Sequence, residues 1–411
     1  MIAATEERLA AVVRDSRAMV LGYLASRSGG DLSAAEDALS EAVLAAMQQW
    51  PVNGIPQKPE AWLLQVARRR LLDEQRKHYV RERFAEPLRQ AIELASATAD
   101  REENFPDERL KLLFVCGHPA IDEAARTPLM LQVVLGLEAQ DIASAFLIAP
   151  AAMAQRLVRA KAKIHAARIP FQVPAAEEWP ERLAFVLDAI YAAFNAGWET
   201  VGQDETGRDD LAKEAIYLAR ALIALVPDEP EILGLLSLML HVHARQHARF
   251  SESGKFIPLT RQDAQRWSPS LIAEAELLLR RASSFARPGR FQIEAAIQSV
   301  HAERATSGII NWPVIEGFYQ VLRTCTTAIG ARIGHAVAMA QVRGLPAAIA
   351  ELDALPEAQV LCHQPYWAAR AHLLRQMGKR DESNIAYQRA IGLTEHPAVR
   401  AFLLDELNEE C

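Results

Sequence analysis

Cysteine is scarce. The 411 residues hold four, Cys116, Cys325, Cys362 and Cys411, with no C-x-x-C pair. That scatter excludes a disulfide framework and a zinc site of paired cysteines, and reads as thiols in a reducing cytosol. Long runs of Val, Ile and Thr are missing too. Ala and Leu dominate instead, which favours helix over sheet. No run of roughly 18 apolar residues occurs, so no membrane span is expected. The opening MIAATEERLAAVVRDSRAMV reads as an amphipathic helix with acids in it, without the charged-then-apolar layout of a secretory signal. There is no G-x-G-x-x-G, P-loop, G-x-S-x-G or H-E-x-x-H, and no convergent acid, base and nucleophile. An enzyme is therefore not expected, nor a cofactor. His118 stands near Cys116 in VCGHPAI, but no second ligand pair lies near, so a packed or capping role is expected and a metal is not.

Half of the residues are hydrophobic, enough for sizeable cores. The net charge of −7 is unevenly placed. Residues 1–170 carry 22 Lys/Arg against 22 Asp/Glu, whereas 171–411 carry 23 against 30. The first part holds local basic patches within a neutral average. The second is acidic, a poor surface for nucleic acid.

Periodicity divides the chain into helices. A hairpin spans about 4–50, broken at RSGGDL (27–32), with Asp31 or Ser33 placed to cap the second helix. That helix carries an apolar stripe, Ala38, Leu39, Ala42, Val43, Ala46 and Trp50, and an acidic face, Glu36, Asp37, Ser40 and Glu41. PVNGIPQKP (51–59) is expected to be an ordered loop, because three prolines and a glycine do not continue a helix. A helix follows over 60–83. From Arg68 to Arg83 it carries seven Lys/Arg against three acids. Residues 84–107 are polar, acidic and weakly patterned, hence a linker. Helical periodicity returns over 108–169. RIPFQVPAAEEWP (168–180) has three prolines and is the best domain boundary. Beyond it come successive helices. The last, PYWAARAHLLRQMGKRDESNIAYQRAIGL, has the rhythm of a tetratricopeptide-like (TPR-like) pair with Tyr387, Ala390 and Ile391 inward, and 334–355 resembles a preceding pair. The fold class is all-α.

Three sets of residues carry possible chemistry. The stretch 137–164 reads as a short helix with Ile142, Ala143 and Phe146 inward, a tight break at LIAP, and a second helix beginning at Pro150. On that second helix Met153, Leu157, Ala160 and Ile164 share one side. Ala152, Gln155, Arg156, Arg159 and Lys163 lie elsewhere on it. This pattern fits both a DNA-reading helix-turn-helix and an ordinary αα-hairpin with a solvated basic face. The second set is Trp62 with Arg68, Arg69, Arg70, Arg76 and Lys77, suited to phosphates and an unstacked base, or to a core tryptophan under a charged face. The third is the acidic face, which fits a partner-binding surface or plain solvated surface.

In order, DLSAAEDALSEAVLAAM, a loop, EAWLLQVARRRLLDEQRK, a linker and a terminal helix pair resemble two-domain sigma factors of the extracytoplasmic-function type. DERLKLLFVCGHPAI, MAQRLVRAKAKI and IYAAFNAGW resemble, more narrowly, the subgroup with a C-terminal TPR-like extension. The resemblance implies two small helical domains, 1–83 and 108–170, the second a helix-turn-helix, joined by the 84–107 linker and followed by a TPR-like domain over 180–411. It implies that Glu36, Asp37, Leu39 and Glu41 dock on the clamp helices of the RNA polymerase β′ subunit, with the β flap as a further contact. Trp62, Arg68, Arg69, Arg70, Arg76 and Lys77 would recognise and melt the −10 element of promoter DNA. Ala152, Gln155, Arg156, Arg159 and Lys163 would read the −35 element. The expected partners are RNA polymerase core, promoter DNA and a protein partner of the TPR-like domain, in the cytoplasm and without a membrane. The competing reading is a helix-turn-helix regulator with a TPR-like sensor domain that never joins polymerase.

Overall fold

The computed structural model describes residues 2–81, 108–146, 148–199 and 209–408. The linker expected over 84–107 lies outside them. Among the described residues there are 20 α-helices and no β-strand, so the chain is all-α. No single described helix is long and apolar enough to cross a membrane. Contacts divide the chain into two compact units, Met1–Ala192 and Ala193–Cys411.

The first unit opens with α1 (Ile2–Arg27), α2 (Leu32–Asn53) and α3 (Pro59–Arg81). Gly29 and Gly30 take positive φ (67° and 87°) in the α1–α2 turn, where a Cβ would be strained. Asp31 then caps α2 by accepting a hydrogen bond from the Ala34 amide at 3.0 Å. Most of the expected stripe faces inward: Ala38, Leu39, Ala42, Ala46 and Trp50 are buried, and Val43 is half-buried at its edge. The loop is shorter than its prolines suggest. Helix α2 runs through Pro51 to Asn53, and Pro59 begins α3. One proline near a helix end forfeits a single amide donor. The buried Trp50 anchors that turn, and the Gly54 amide closes it by donating to the Trp50 carbonyl at 3.0 Å.

Helices α4 (Arg109–Cys116), α5 (Glu123–Val133), α6 (Ala139–Ala145) and α7 (Pro150–Ala166) complete most of this unit. Between α6 and α7 the chain bends by 111°. Met153, Leu157, Ala160 and Ile164 of α7 are buried, as their spacing predicts. Ile142 and Ala143 are buried, but Phe146 is 38% exposed. It sits at the C-cap of α6 with ψ near 4°, so helical spacing no longer sets its direction. The unit continues into α8 (Trp179–Glu199). Trp179 stacks on Phe114 at 6.4 Å, Arg182 donates to the Phe114 carbonyl, and the Arg126 guanidinium lies 4.7 Å from the Phe185 ring centroid.

The second unit is built round α10 (Pro230–His243), which follows α9 (Asp209–Leu225) and precedes α11 (Pro269–Ser284) and α12 (Arg290–Ala302). Every residue of α10 from Ile232 to His241 is buried, as befits a helix apolar on all sides. It is fastened to two neighbours by polar contacts. The Ser237 hydroxyl donates to the Ala275 carbonyl (2.9 Å), and the Glu231 carboxylate accepts from the Phe291 and Gln292 amides (3.0 and 3.2 Å). Glu231 thereby caps the start of α12, where free amides and the helix dipole favour an anion. A short loop turn (Arg304–Ser307, α13) leads to α14 (Trp312–Cys325), α15 (Ile329–Val342), α16 (Leu345–Asp353), α17 (Glu357–Val360), α18 (Gln364–Gln376), α19 (Arg380–Leu393) and α20 (Pro397–Asn408). Helices α18 and α19 form a hairpin with Ala371, Ala386, Tyr387 and Ala390 in its core. In the pair before it the second helix, α16, has only 9 residues.

The FNAGW segment is a packing device. Phe194 stacks on Trp198 (6.3 Å), and the buried Arg249 lies over Trp198 (4.9 Å), Phe250 (5.3 Å) and Phe256 (5.8 Å) while donating to the Trp198 carbonyl. Phe256 in turn meets Phe402 of α20 edge-on at 5.5 Å. Arg261 and Lys255 of the same loop pair with Glu406 (2.7 Å) and Asp405 (3.3 Å).

His301 at the end of α12 is 8% exposed and packs edge-on against Trp312. Burial, helped by the positive charges of Arg245 and Arg304, lowers its pKa from 6.5 to about 4. Below pH 6.5 the unfolded chain takes up a proton that the folded unit refuses until about pH 4. The second unit is therefore expected to lose stability as pH falls through that window, by on the order of 1–3 kcal/mol from this group. Thermal melts of wild type and His301→Gln between pH 7 and 4 check this: the variant should have the flatter acid limb.

Candidate nucleic-acid interface

The acidic face of α2 is not uniformly free. Glu36, half-buried, receives Lys161 of α7 at 2.7 Å and Arg17 of α1 at 3.4 Å. Glu41 pairs with Arg70 of α3 at 3.2 Å, both side chains more than half exposed, so this pair is worth little energetically. Asp37 and Ser40 are exposed. Leu39 is only 5% exposed. It falls in the buried stripe of α2, beneath the acids, and supports the face without forming it.

Sequence reasoning missed the continuation of that face. Leu44 (57% exposed) and Met47 (51%) continue the acidic row by helical spacing, and Val52 and Ile55 (38%), farther along the chain, are exposed as well. Their signal was positional. Leu44 follows Ser40 and Glu41 at i+4 and i+3, on the polar side of the helix, where an apolar residue needs a reason.

On α3, Trp62 is half-buried and meets Trp50 in a T-shaped contact at 5.6 Å. It is neither a core residue nor a freely presented ring. Arg68 is half-buried, and Arg69 and Arg70 are exposed. The helix extends past Arg76 and Lys77, whose side chains lie outside the described ones.

On α7, Ala152, Gln155, Arg159 and Lys163 are exposed and Arg156 is half-buried. Arg156 donates to the Ala124 carbonyl at the start of α5 (3.2 Å), and Arg159 leans back on the Gln155 carbonyl one turn earlier (3.4 Å). Val158 is 65% exposed between them. Lys163 and His165 stand in the last turn, where cations complement the helix dipole. Helix α2 reaches α3 through Glu41 and α7 through Glu36.

Cys116 is fully buried near Lys161 and Glu36, and burial pushes its thiol well above the usual range, so it is inert packing. His118 accepts from the Ala120 amide at 3.1 Å in a local turn. Among the described residues no three His, Cys, Asp or Glu side chains cluster as metal ligands.

Comparison with known proteins fits this anatomy. Residues 12–80, most of α1 through nearly all of α3, match the family Sigma-70 region 2. Residues 182–283 match a family of unknown function, DUF6596. The chain is 34% identical over 107 residues to the ECF RNA polymerase sigma factor SigL of Mycobacterium tuberculosis, a match covering 26% of this chain and 56% of SigL. No solved structure matches it. Over 387 residues it is 37% identical to "Uncharacterized protein R00370" of Rhizobium meliloti (strain 1021), covering 92% of this chain and 90% of that one. With the likeness running through both units, the chain belongs to the same family as that Rhizobium meliloti protein, and its own N-terminal helices match sigma-70 region 2.

Proposed function

We propose that the protein is a sigma factor of the extracytoplasmic-function type. It joins RNA polymerase core through α2 and directs it to promoters by reading two DNA elements, in the cytoplasm and without catalysis of its own. The observation that carries this reading is the exposed acidic-then-apolar face of α2 (Asp37, Glu41, Leu44, Met47) inside the segment that matches Sigma-70 region 2. Such a face suits a basic partner helix with apolar flanks. Docking falls to the β′ clamp helices, with the β flap as a second contact. Trp62 and the α3 arginines serve the −10 element, where TA-rich steps unstack cheaply and phosphate contacts offset the rest. Helices α6 and α7 act as the helix-turn-helix; their 111° bend lies in the range such motifs use. Arg156 and Arg159 face base edges and Lys163 a phosphate. The domains are 1–83, the 84–107 linker, 108–170 and a TPR-like regulatory domain over 180–411 that takes a protein partner.

The test is run-off transcription and polymerase capture with the full chain, core polymerase and a pool of genomic fragments. The wild type is expected to give defined start sites. Asp37→Lys with Glu41→Lys is expected to lower capture at least about tenfold while the fold melts normally. Specific DNA binding with no polymerase capture would instead favour the regulator that never joins polymerase.

A further inference from the structure

In the second unit, helix α14 has an apolar side that its own core does not use. Ile315 and Leu322 pack inward, in one cluster with side chains of α12 and α15. Its two charged residues are engaged within the unit. The buried Glu316 accepts from Gln320 (2.7 Å), His335 (3.3 Å) and Arg343 (2.6 Å), and Arg323 pairs with Glu351 at 3.2 Å. Another side faces outward. Val314 is 40% exposed and Val321 48%; Cys325 is exposed, and Phe318 is half-buried. These four stand 4, 3 and 4 residues apart, the spacing of a coiled-coil seam. Gly317 and Thr324 flank it and carry no charge. Elsewhere in the unit Leu277 of α11, Ile385 of α19 and Leu404 of α20 are exposed one to a helix, which is ordinary.

Charge decides what can cover this seam. Residues 171–411 carry 23 Lys/Arg against 30 Asp/Glu, so two copies of the unit repel over most of their surface. A docked helix of another protein, chosen by its basic residues, needs an acidic rim beside the apolar anchors. The seam has no such rim. It holds nothing that selects a charged partner and nothing that repels an identical uncharged stripe.

We propose that α14 is a self-association surface. Two copies of the chain pair through Val314, Phe318, Val321 and Cys325, antiparallel about a two-fold axis. In that register Phe318 meets the partner's Val321, and Val314 meets the partner's Cys325. Each layer thus sets a larger side chain against a smaller one, and all four positions are used twice. Gly317, beside Phe318, has no side chain to hold the helices apart. A parallel pair would instead crowd Phe318 against the partner's Phe318 and align the two helix dipoles. Four residues from each copy make an interface below the roughly 1,200 Å² of lasting complexes. The dimer is therefore weak, with a dissociation constant on the order of 10–100 µM.

Sedimentation equilibrium of the full chain from about 2 to 200 µM tests it. The mass is expected to climb from monomer toward dimer. Raising salt from about 0.05 to 0.5 M should tighten association two- to fivefold, because it screens the acidic repulsion. Val321→Glu should weaken pairing at least about tenfold while melting as wild type does; Leu277→Glu, equally exposed but outside the seam, should pair normally. Oxidative crosslinking reads the register in a Cys362→Ser, Cys411→Ser background. Diamide takes up the two electrons and two protons as two thiols join. Cys325 and the partner's Cys325 lie about 16 Å apart along an antiparallel seam, too far to join. Val314→Cys places a thiol opposite the partner's Cys325 and should give covalent dimer. A chain that stays monomeric throughout overturns the proposal and leaves the seam to a helix of another protein. A dimer indifferent to Val321→Glu, or broken equally by Leu277→Glu, overturns the assignment to α14. Covalent dimer through Cys325 alone overturns the antiparallel register.

Discussion

Gly234→Val is expected to destabilise the second unit by about 3 kcal/mol or more, enough to lower its melting midpoint by many degrees. Gly234 lies in the middle of α10, the helix buried on all sides. A Cβ there would stand 2.7 Å from the Gln292 backbone nitrogen and 3.0 Å from its Cα. Those are backbone atoms at the start of α12, so no side-chain rotation relieves the clash. The Gln292 amide is also one of the two donors that Glu231 accepts. Pushing α12 outward would stretch that cap and leave buried polar groups without partners, which adds to the steric cost. Glu231→Ala tests the second half alone and is expected to cost about 1–2 kcal/mol, less than the glycine variant. Denaturant unfolding followed by the tryptophans of the second unit measures both. Equal losses would mean that the close approach at Gly234 carries no weight of its own.

Arg159→Ala is expected to relax selectivity at one position of the −35 element by about 1–3 kcal/mol, roughly tenfold to a hundredfold. Arg156→Ala is expected to do the same at a neighbouring position. Lys163→Ala, one turn beyond Arg159, is expected to weaken binding evenly over all sequences and to lower the salt slope by about one ion. The contrast rests on where the three side chains stand. Arg159 is exposed with only a weak local contact, Arg156 is held on the Ala124 carbonyl, and Lys163 sits in the last turn. Selection from randomised −35 sequences, with affinities at two salt concentrations, separates the classes. If all three variants lose affinity without losing preference, α7 holds phosphate and does not read bases.

Periodicity made the helices legible. The buried sides of α2 and α7 are the stripes that spacing predicts, because burial of an apolar side is a local consequence of the 3.6-residue repeat. Exceptions occur where the repeat stops. Phe146 has left the helix that would have turned it inward, and Pro51 remains in a helix because a buried tryptophan holds the turn. The candidate site was legible in part. Spacing placed Asp37 and Glu41 on the surface, but Leu39 was buried by the same geometry that put it in the apolar stripe. The ion pairs of Glu36 were invisible, since its partners Arg17 and Lys161 are 19 and 125 residues away in sequence. No periodicity links such distant charges; only tertiary packing does.

The aromatic loop beneath α20 has a consequence for synthesis. Arg261 and its partner Glu406 are 145 residues apart. At roughly 5–20 residues per second, the ribosome leaves the loop waiting on the order of ten seconds for the helix that covers it. Over that interval Phe256 has no Phe402 to pack against. The nascent chain therefore presents an aromatic face to chaperones until α20 arrives, and a stop codon before α20 would leave that face open for the life of the protein.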